Sequence, residues 1–212
     1  MKPEDFTCQW FWHKNDTHIY EQPSLEYVIE HFKGQTNLTM LDIGAHVGYW
    51  SLQMSPYFDS IHAFECNPDI LPFLALNTYN YENITVHPHG VDLKLEQKNF
   101  VYLTEHVNGM IGSYVLDHTD DEFLSKEHGV KNEHKRINVT VAPPKVQGPV
   151  HFIKIDVEGA EFNVLKACHK YKQYDPLLHI EIHREEHRKY YSEKYITILH
   201  SLDESNHIAK YK

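Results

Sequence analysis

The segment that most constrains the fold spans residues 41–48, Leu-Asp-Ile-Gly-Ala-His-Val-Gly, where an apolar strand-like run leads into a glycine-bearing turn and then a helical pattern. Glycines let the backbone of such a turn approach a ligand closely, and the following helix offers unpaired N–H groups. Because Gly44 and Gly48 are separated by three residues with no third glycine, the GxGxxG fingerprint of dinucleotide-binding turns is not met. The segment predicts a pocket for a nucleotide-type ligand.

Strand-like and helix-like runs alternate along most of the chain. The predicted strands are residues 40–43, 61–64, 84–86, 150–155, 177–182 and 208–211. The predicted helices between them are residues 49–54, 70–79, 160–171 and 184–202. Strands that alternate with helices form parallel sheets with right-handed crossovers. The order predicts a doubly wound, mostly parallel α/β fold with helices on both faces of the sheet.

Two stretches depart from this alternation. Residues 1–37 form an aromatic and helical N-terminal segment expected to pack on the core, with a helix at 24–32 that Ser24 caps and Gly34 ends. Residues 38–212 are expected to form a single domain, interrupted at about 95–148 by an insertion with a lid or substrate-facing loop. The sequence therefore predicts one domain of ordinary size, preceded by an N-terminal segment that packs on it.

Acidic residues stand at the ends of three predicted strands. Asp42 precedes the first glycine of the turn and suits a ligand with an ammonium group, such as S-adenosylmethionine. Glu65 ends the second strand, where a carboxylate can accept both hydroxyls of a ribose. Strand alternation brings Asp156 to the same carboxyl edge. These positions predict a cofactor site next to a candidate catalytic carboxylate.

A further polar set lies on the neighbouring strand, because alternation puts His179, Glu181 and His183 on one face. Glu181 and His183 are expected to converge with Asp156 at the pocket mouth. There they could take up a proton or hold a divalent cation, Mg²⁺ or Mn²⁺. The alternative, that two of the three only satisfy hydrogen bonds, stays open.

Four blocks of the sequence resemble the FkbM-type methyltransferases in order and spacing: residues 41–51, 64–68, 153–165 and 178–183. The most specific is Lys-Ile-Asp-Val-Glu-Gly-Ala-Glu at residues 154–161. The resemblance covers roughly residues 20–203. It implies a class I methyltransferase fold of Rossmann-like type and S-adenosylmethionine as methyl donor. The usual acceptor is a hydroxyl of a sugar, a glycan or a related small molecule.

The resemblance also implies roles for individual residues. The cofactor role falls on Asp42, Gly44, Gly48 and Glu65, and the predicted cofactor set is completed by His46, Asn67 and Asp92. Residues 108–113 match the active-site loop. The candidates that take up the acceptor's proton are Asp156 and His183, followed by Glu158. Two features depart from the family: His46 stands where Asn is usual, and after Leu202 only one short strand is predicted in place of the closing antiparallel pair.

Two rival functions remain at this point. His183-Arg-Glu-Glu-His187 matches the HxxEH pattern of inverted zinc peptidases, in which both histidines share a helical face and Glu186 acts as base. The other rival is a binding module that kept the fold without catalysis.

Charge and composition narrow the partners. The formal net charge of −10 argues against a nucleic-acid binder, which needs a basic face. The first thirty residues hold no apolar run of signal-peptide or membrane-span length, so a cytoplasmic protein without a membrane span is expected.

Overall fold

The computed structural model describes residues 21–103, 114–116, 134–157 and 159–212. The helices in these ranges are α1 (Gln22–Phe32), α2 (Tyr49–Met54), α3 (Leu71–Thr78), α4 (Glu161–Cys168), a 3₁₀ helix (His169–Tyr174) and α5 (Glu185–Lys194). The strands are β1 (Thr39–Ile43), β2 (Ser60–Phe64), β3 (Ile84–His87), β4 (Gly90–Val91), β5 (Glu96–Leu103), β6 (Tyr114–Leu116), β7 (His134–Ala142), β8 (Phe152–Ile155), β9 (Leu177–Glu181), β10 (Ile196–Ser201) and β11 (Asn206–Tyr211).

Seven of these strands form the main sheet, in the order β10-β11-β9-β8-β1-β2-β3. Strand β11 is antiparallel to both of its neighbours, and the other pairs are parallel. The chain runs outward from β1 to β3 and then returns to place β8 on the other side of β1. In open α/β sheets, ligands bind at the carboxyl ends of the strands where the order reverses in this way. The predicted mostly parallel α/β fold is confirmed.

Helices cover both faces of the main sheet. On one face the buried side chains from α1, α2 and the strands are Leu25, Val28, Trp50, Met40 and Phe152. On the other face, those from α4, α5 and the strands are Val164, Leu165, Tyr191, Ile153 and Ile180. Because both faces of β8 are covered by packed side chains, all four of its residues are buried. Lys154 is therefore a charged residue inside a fully buried strand.

The N-terminal helix begins two residues before the predicted start. Helix α1 starts at Gln22, with Pro23 in its first turn, where a missing N–H costs nothing. The prediction that Ser24 caps the helix is wrong. Its hydroxyl lies 3.0 Å from Nε2 of His179 on β9 instead. Gly34 follows the helix with φ +76°, as expected of a residue that ends it.

The prediction of a helix over residues 184–202 is wrong in its second half. Helix α5 ends at Lys194 and β10 follows directly. Ile196 pairs with Tyr211 of β11 and is fully buried, so sheet pairing prevails over the helical pattern. The main sheet therefore does close with an antiparallel pair, β10 and β11, and the prediction of only one short strand after Leu202 is wrong.

The chain between β3 and β8 builds a second sheet of four strands, in the order β4-β7-β5-β6. Its small core contains Phe100, Val139 and Val141. The residues predicted to form a lid or substrate-facing loop, 108–113, lie outside the described ranges. Among the helices that are described, none combines the length and apolar character of a membrane span.

Candidate active site

The carboxyl ends of β1 and β8 meet at the glycine turn. Asp156 N–H donates to the carbonyl of Ile43 at 3.1 Å, which joins the two strand ends. Gly44 has φ +80°, and a Cβ there would lie 1.8 Å from the carbonyl oxygen of Asp156. Gly48 has φ +90°, with Leu74 2.9 Å from its hypothetical Cβ. Both glycines are therefore required by backbone conformation and by close packing.

Asp42 lies under this turn and is completely buried. Its Oδ2 accepts hydrogen bonds from the backbone N–H of Ser51 at 3.0 Å and from the Ser51 hydroxyl at 2.6 Å. Its Oδ1 accepts no hydrogen bond from the described residues and lies 3.7 Å from Nζ of Lys154. Burial raises the pKa of Asp42 despite the attraction of Lys154. One carboxylate oxygen thus links β1 to α2, and the other faces the ammonium group.

Glu65 ends β2 beside the turn. Its Oε2 accepts the N–H of His46 at 2.9 Å, and its Oε1 accepts the N–H of Asn67 at 2.7 Å. Burial nevertheless raises the pKa of the carboxyl. A carboxylate has about four lone-pair sites, so these two bonds leave capacity for ribose hydroxyls.

The other predicted cofactor residues have protein partners. The Oδ1 atom of Asn67 accepts the N–H of Asp69 at 3.0 Å, which shapes the turn before α3. Asp92 follows β4, and its carboxylate lies 2.7 Å from Nζ of Lys98. His46 has φ +51°, a conformation that Asn tolerates better than most residues, and burial lowers its pKa to about 4. Its imidazole is therefore neutral at pH 7.

Lys154 was not among the predicted site residues. Its ammonium donates to the carbonyl of Gly44 at 2.9 Å and to Oδ2 of Asp156 at 3.1 Å. Burial acts to lower its pKa, but the charges of Asp156 and Asp42 outweigh this and raise it. A sequence signal was available, because a lysine between two isoleucines in a strand with both faces covered must find acidic partners.

Asp156 lies on the other side of this ammonium. Burial acts to raise its pKa, but Lys154 and a hydrogen bond with the Glu181 side chain outweigh burial and lower the pKa. The side chain is 29% exposed. Asp156 is therefore an ionised carboxylate. Lys154 and Glu181 hold it in place, and part of it is accessible at the carboxyl edge of the sheet.

In the strand register His179 lies beside Lys154 of β8, and β9 ends at Glu181, so His183 follows the strand. Nε2 of His183 lies 3.6 Å from Oε1 of Glu181, but the imidazole is 52% exposed. Within the described ranges, no group of three acidic, histidine or cysteine side chains is arranged to hold a metal ion. The predicted divalent site at Asp156, Glu181 and His183 is therefore not supported.

The peptidase alternative also fails on geometry. Helix α5 begins at Glu185, so His183 precedes the helix and His187 lies within it. The two histidines do not share a helical face, which the HxxEH arrangement requires. Glu158, the third candidate for taking up the proton, lies outside the described residues.

Comparisons with known proteins agree with this geometry. The model of the FkbM methyltransferase domain matches residues 42–205. No curated protein matches the sequence. Among solved structures, an S-adenosylmethionine-dependent O-methyltransferase from Thermotoga maritima is 9% identical, with a TM-score of 0.56 over 96% of this chain and 69% of that chain.

An rRNA methylase from Streptococcus thermophilus is 11% identical, with a TM-score of 0.50 over 93% of this chain and 98% of that chain. At such identities, the likeness to either structure shows the fold alone. The family is shown by the domain match, which covers most of the chain, begins at Asp42 near the end of β1 and includes β8 and β9. The chain therefore belongs to the FkbM methyltransferase family and is an S-adenosylmethionine-dependent methyltransferase.

Proposed function

We propose that this methyltransferase transfers the methyl group to a hydroxyl, on a sugar, a glycan or a related small molecule. The observation that carries the proposal is the position of Asp156, an ionised carboxylate beside the glycine turn at the carboxyl edge. A hydroxyl must lose its proton when it is methylated, and a carboxylate can accept that proton. The family's usual acceptors support the sugar or glycan class.

The residues of the turn fit the cofactor in chemistry. Asp42 lies buried under the turn and links it to α2 through Ser51, so it supports the backbone that would meet the cofactor. Glu65 has acceptor capacity for ribose hydroxyls at the end of the adjacent strand. When bound, S-adenosylmethionine supplies an electrophilic methyl group. We therefore assign cofactor binding to Asp42, Gly44, Gly48 and Glu65, with lesser roles for His46, Asn67 and Asp92.

Asp156 acts on the acceptor. Because its pKa is lowered, the carboxylate is ionised at neutral pH and can orient the hydroxyl by accepting its hydrogen bond. A low pKa makes it a modest base, so most of its effect is to align the oxygen and receive the proton as the methyl group is transferred. We assign to His183, which is exposed beyond Glu181, the role of passing the proton to solvent.

The test is a mass-spectrometric screen of activated sugars, free sugars and glycans for the gain of one methyl group from S-adenosylmethionine. We expect methyl ethers on sugar hydroxyls, and no product from the same compounds with their hydroxyls acetylated. RNA methylated on its bases rather than on its ribose hydroxyls, and peptides methylated on free amines, represent acceptors of other classes. Methylation of either of these, with none of any hydroxyl compound, would contradict the proposal. The cytoplasmic location and the absence of a nucleic-acid partner stay predictions, and the RNA arm of the screen tests the second of them.

A further inference from the structure

The least expected feature of the site is Lys154, a lysine at the centre of the main sheet. In the strand register it lies between Asp42 on β1 and His179 on β9. Its side chain is 3% exposed. Burying an ammonium group is costly unless it is paired and hydrogen-bonded. Hydrogen-bond and ion-pair partners accordingly surround this one side chain.

Those partners belong to different parts of the site. Nζ lies 2.9 Å from the carbonyl oxygen of Gly44 in the glycine turn. It lies 3.1 Å from Oδ2 of Asp156 on the acceptor side and 3.7 Å from Oδ1 of Asp42 beneath the turn. An ammonium has three N–H donors, so one group can serve the cofactor turn and the acceptor carboxylate together.

Several other titratable groups act on this lysine and on Asp156. They come from the residue before α1, from the turn after β1, from the end of β2 and from β9: Glu21, His46, Glu65, His179 and Glu181. Asp203, in the β10–β11 turn, acts in turn on Glu21 and His179. Burial lowers the pKa of His179 to about 3 and that of His46 to about 4, so both are neutral near pH 7. Lys154 is thus a cation surrounded by acidic groups, and its loss would leave buried carboxylates uncompensated.

We propose that Lys154 is a positioning residue, which fixes the Gly44 carbonyl of the cofactor turn and the Asp156 carboxylate in one geometry. The proposal rests on the function proposed above, because it assigns the acceptor hydroxyl to Asp156. Lys154 touches neither donor nor acceptor in this scheme. It acts through the two groups that do.

The test compares Lys154→Met with the wild-type enzyme. Because Asp156 would lose its orientation, kcat should fall about 100-fold. Affinity for the demethylated product S-adenosylhomocysteine, measured by calorimetry, should fall about tenfold, because the Gly44 carbonyl loses a charged partner. Without the ammonium, burial would raise the pKa of Asp156, so the acidic limb of the rate profile should move up by about 1 to 3 pH units.

Two variants separate positioning from simple support of the fold. Lys154→Arg keeps the charge in a larger, planar group, so it should retain the wild-type pH profile with an intermediate kcat. Lys210→Met removes the lysine of another ion pair, with Asp175, far along β11 from the site. It should leave kcat, product affinity and pH profile unchanged. A purely structural Lys154 would lower the melting temperature of its variants without moving these readouts.

Failure of the Lys154 inference can be told apart from failure of the proposed function. If the wild-type enzyme methylates no hydroxyl, the proposed function fails, and the affinity for S-adenosylhomocysteine still tests Lys154. A folded Lys154→Met with wild-type kcat, affinity and pH profile would overturn the inference. If that variant does not fold, carboxyl NMR of the wild-type protein decides, with Asp156→Asn for assignment. Asp156 should titrate below about 3.9, its ordinary value, and titration above it would overturn the inference.

Discussion

The two sides of the active site are held together in different ways. On the cofactor side, the glycine turn is fixed by backbone groups of adjacent segments. Gly44 and Ala45 both donate to the carbonyl of Phe64, each at 3.0 Å. On the acceptor side, Asp156 is fixed by side chains that belong to β8 and β9. The comparison shows that this site combines a turn held mainly by backbone hydrogen bonds with a cluster of charged side chains that forms only when the sheet assembles.

This difference predicts different sensitivities. A change in the turn should disturb backbone geometry and with it both fold and cofactor binding. A change in Asp156, on the acceptor side, should leave the fold and cofactor binding largely intact while altering chemistry and pH dependence. The four predictions that follow test this contrast in order of decreasing effect.

The largest effect is expected from Gly44→Ala. The new methyl group would lie 1.8 Å from the carbonyl oxygen of Asp156, so β1 and β8 would have to separate. We expect a loss of more than about 3 kcal/mol in the free energy of unfolding and loss of S-adenosylhomocysteine binding. Chemical denaturation and calorimetry measure these two quantities.

Gly34→Ala is the matched control. Gly34 also has a positive φ, +76°, but apart from its chain neighbours no atom of the described residues lies within 4 Å of its hypothetical Cβ. Gly34→Ala should therefore lower the free energy of unfolding by only about 1 to 2 kcal/mol, the cost of an alanine in the left-handed backbone region. It should bind the product normally. Equal losses in the two variants would show that close packing of Gly44 against Asp156 is unimportant.

The next effect is that of Asp156→Asn on turnover. The amide keeps the shape of the side chain but cannot accept the proton, so kcat should fall about 10² to 10⁴-fold. Affinity for S-adenosylhomocysteine should stay within about twofold, because this residue belongs to the acceptor side. Steady-state kinetics and calorimetry on the same sample give both values. Unchanged turnover would remove Asp156 from the proposed mechanism.

A smaller effect concerns acid stability and His179. Burial lowers the pKa of this imidazole from 6.5 to about 3 in the folded protein. Between these values the unfolded chain binds a proton that the folded protein does not, so the free energy of unfolding decreases as the pH falls. His179→Phe keeps a ring beside Trp50 and removes this titration. Its melting temperature should fall less steeply than that of the wild type between pH 6.5 and 4.

The test of His179 compares how steeply the melting temperature of each protein falls with pH, because the variant can also differ in stability at neutral pH. Above pH 7 the melting temperatures of variant and wild type should run parallel. An acid slope equal to that of the wild type would show that His179 becomes protonated in the folded state.

The smallest effect is expected from His187→Ala. His187 lies on α5, where its ring contacts Tyr191 at 5.8 Å, and it belongs to neither side of the site. Turnover should change by no more than about twofold, and a chelator should leave the wild-type rate unchanged. Stoichiometric zinc in the purified protein, lost in this variant, would instead revive the metal-dependent alternative.

Much of the architecture follows from local sequence. The alternation of strands and helices predicted the parallel order, and residues 41–48 predicted the turn at the end of β1. These predictions succeed because glycine conformation and strand periodicity depend on residues close together in the chain. One prediction that fails is the helix over β10, because pairing with β11 makes Ile196 part of a strand.

The chemistry of the acceptor side depended on tertiary structure. The sequence by itself determined the carboxylates at the strand ends, Asp42, Glu65 and Asp156, because strand period and turn position are local properties. Only the folded sheet decided that Lys154 joins the turn to Asp156, and that His183 stays partly exposed. It also decided that, within the part of the chain that the structure describes, His183 and its neighbours are not arranged to hold a metal ion. The physical reason is that burial and charge pairing depend on distances between strands far apart in the chain, and these distances set which groups ionise and which partners they hold.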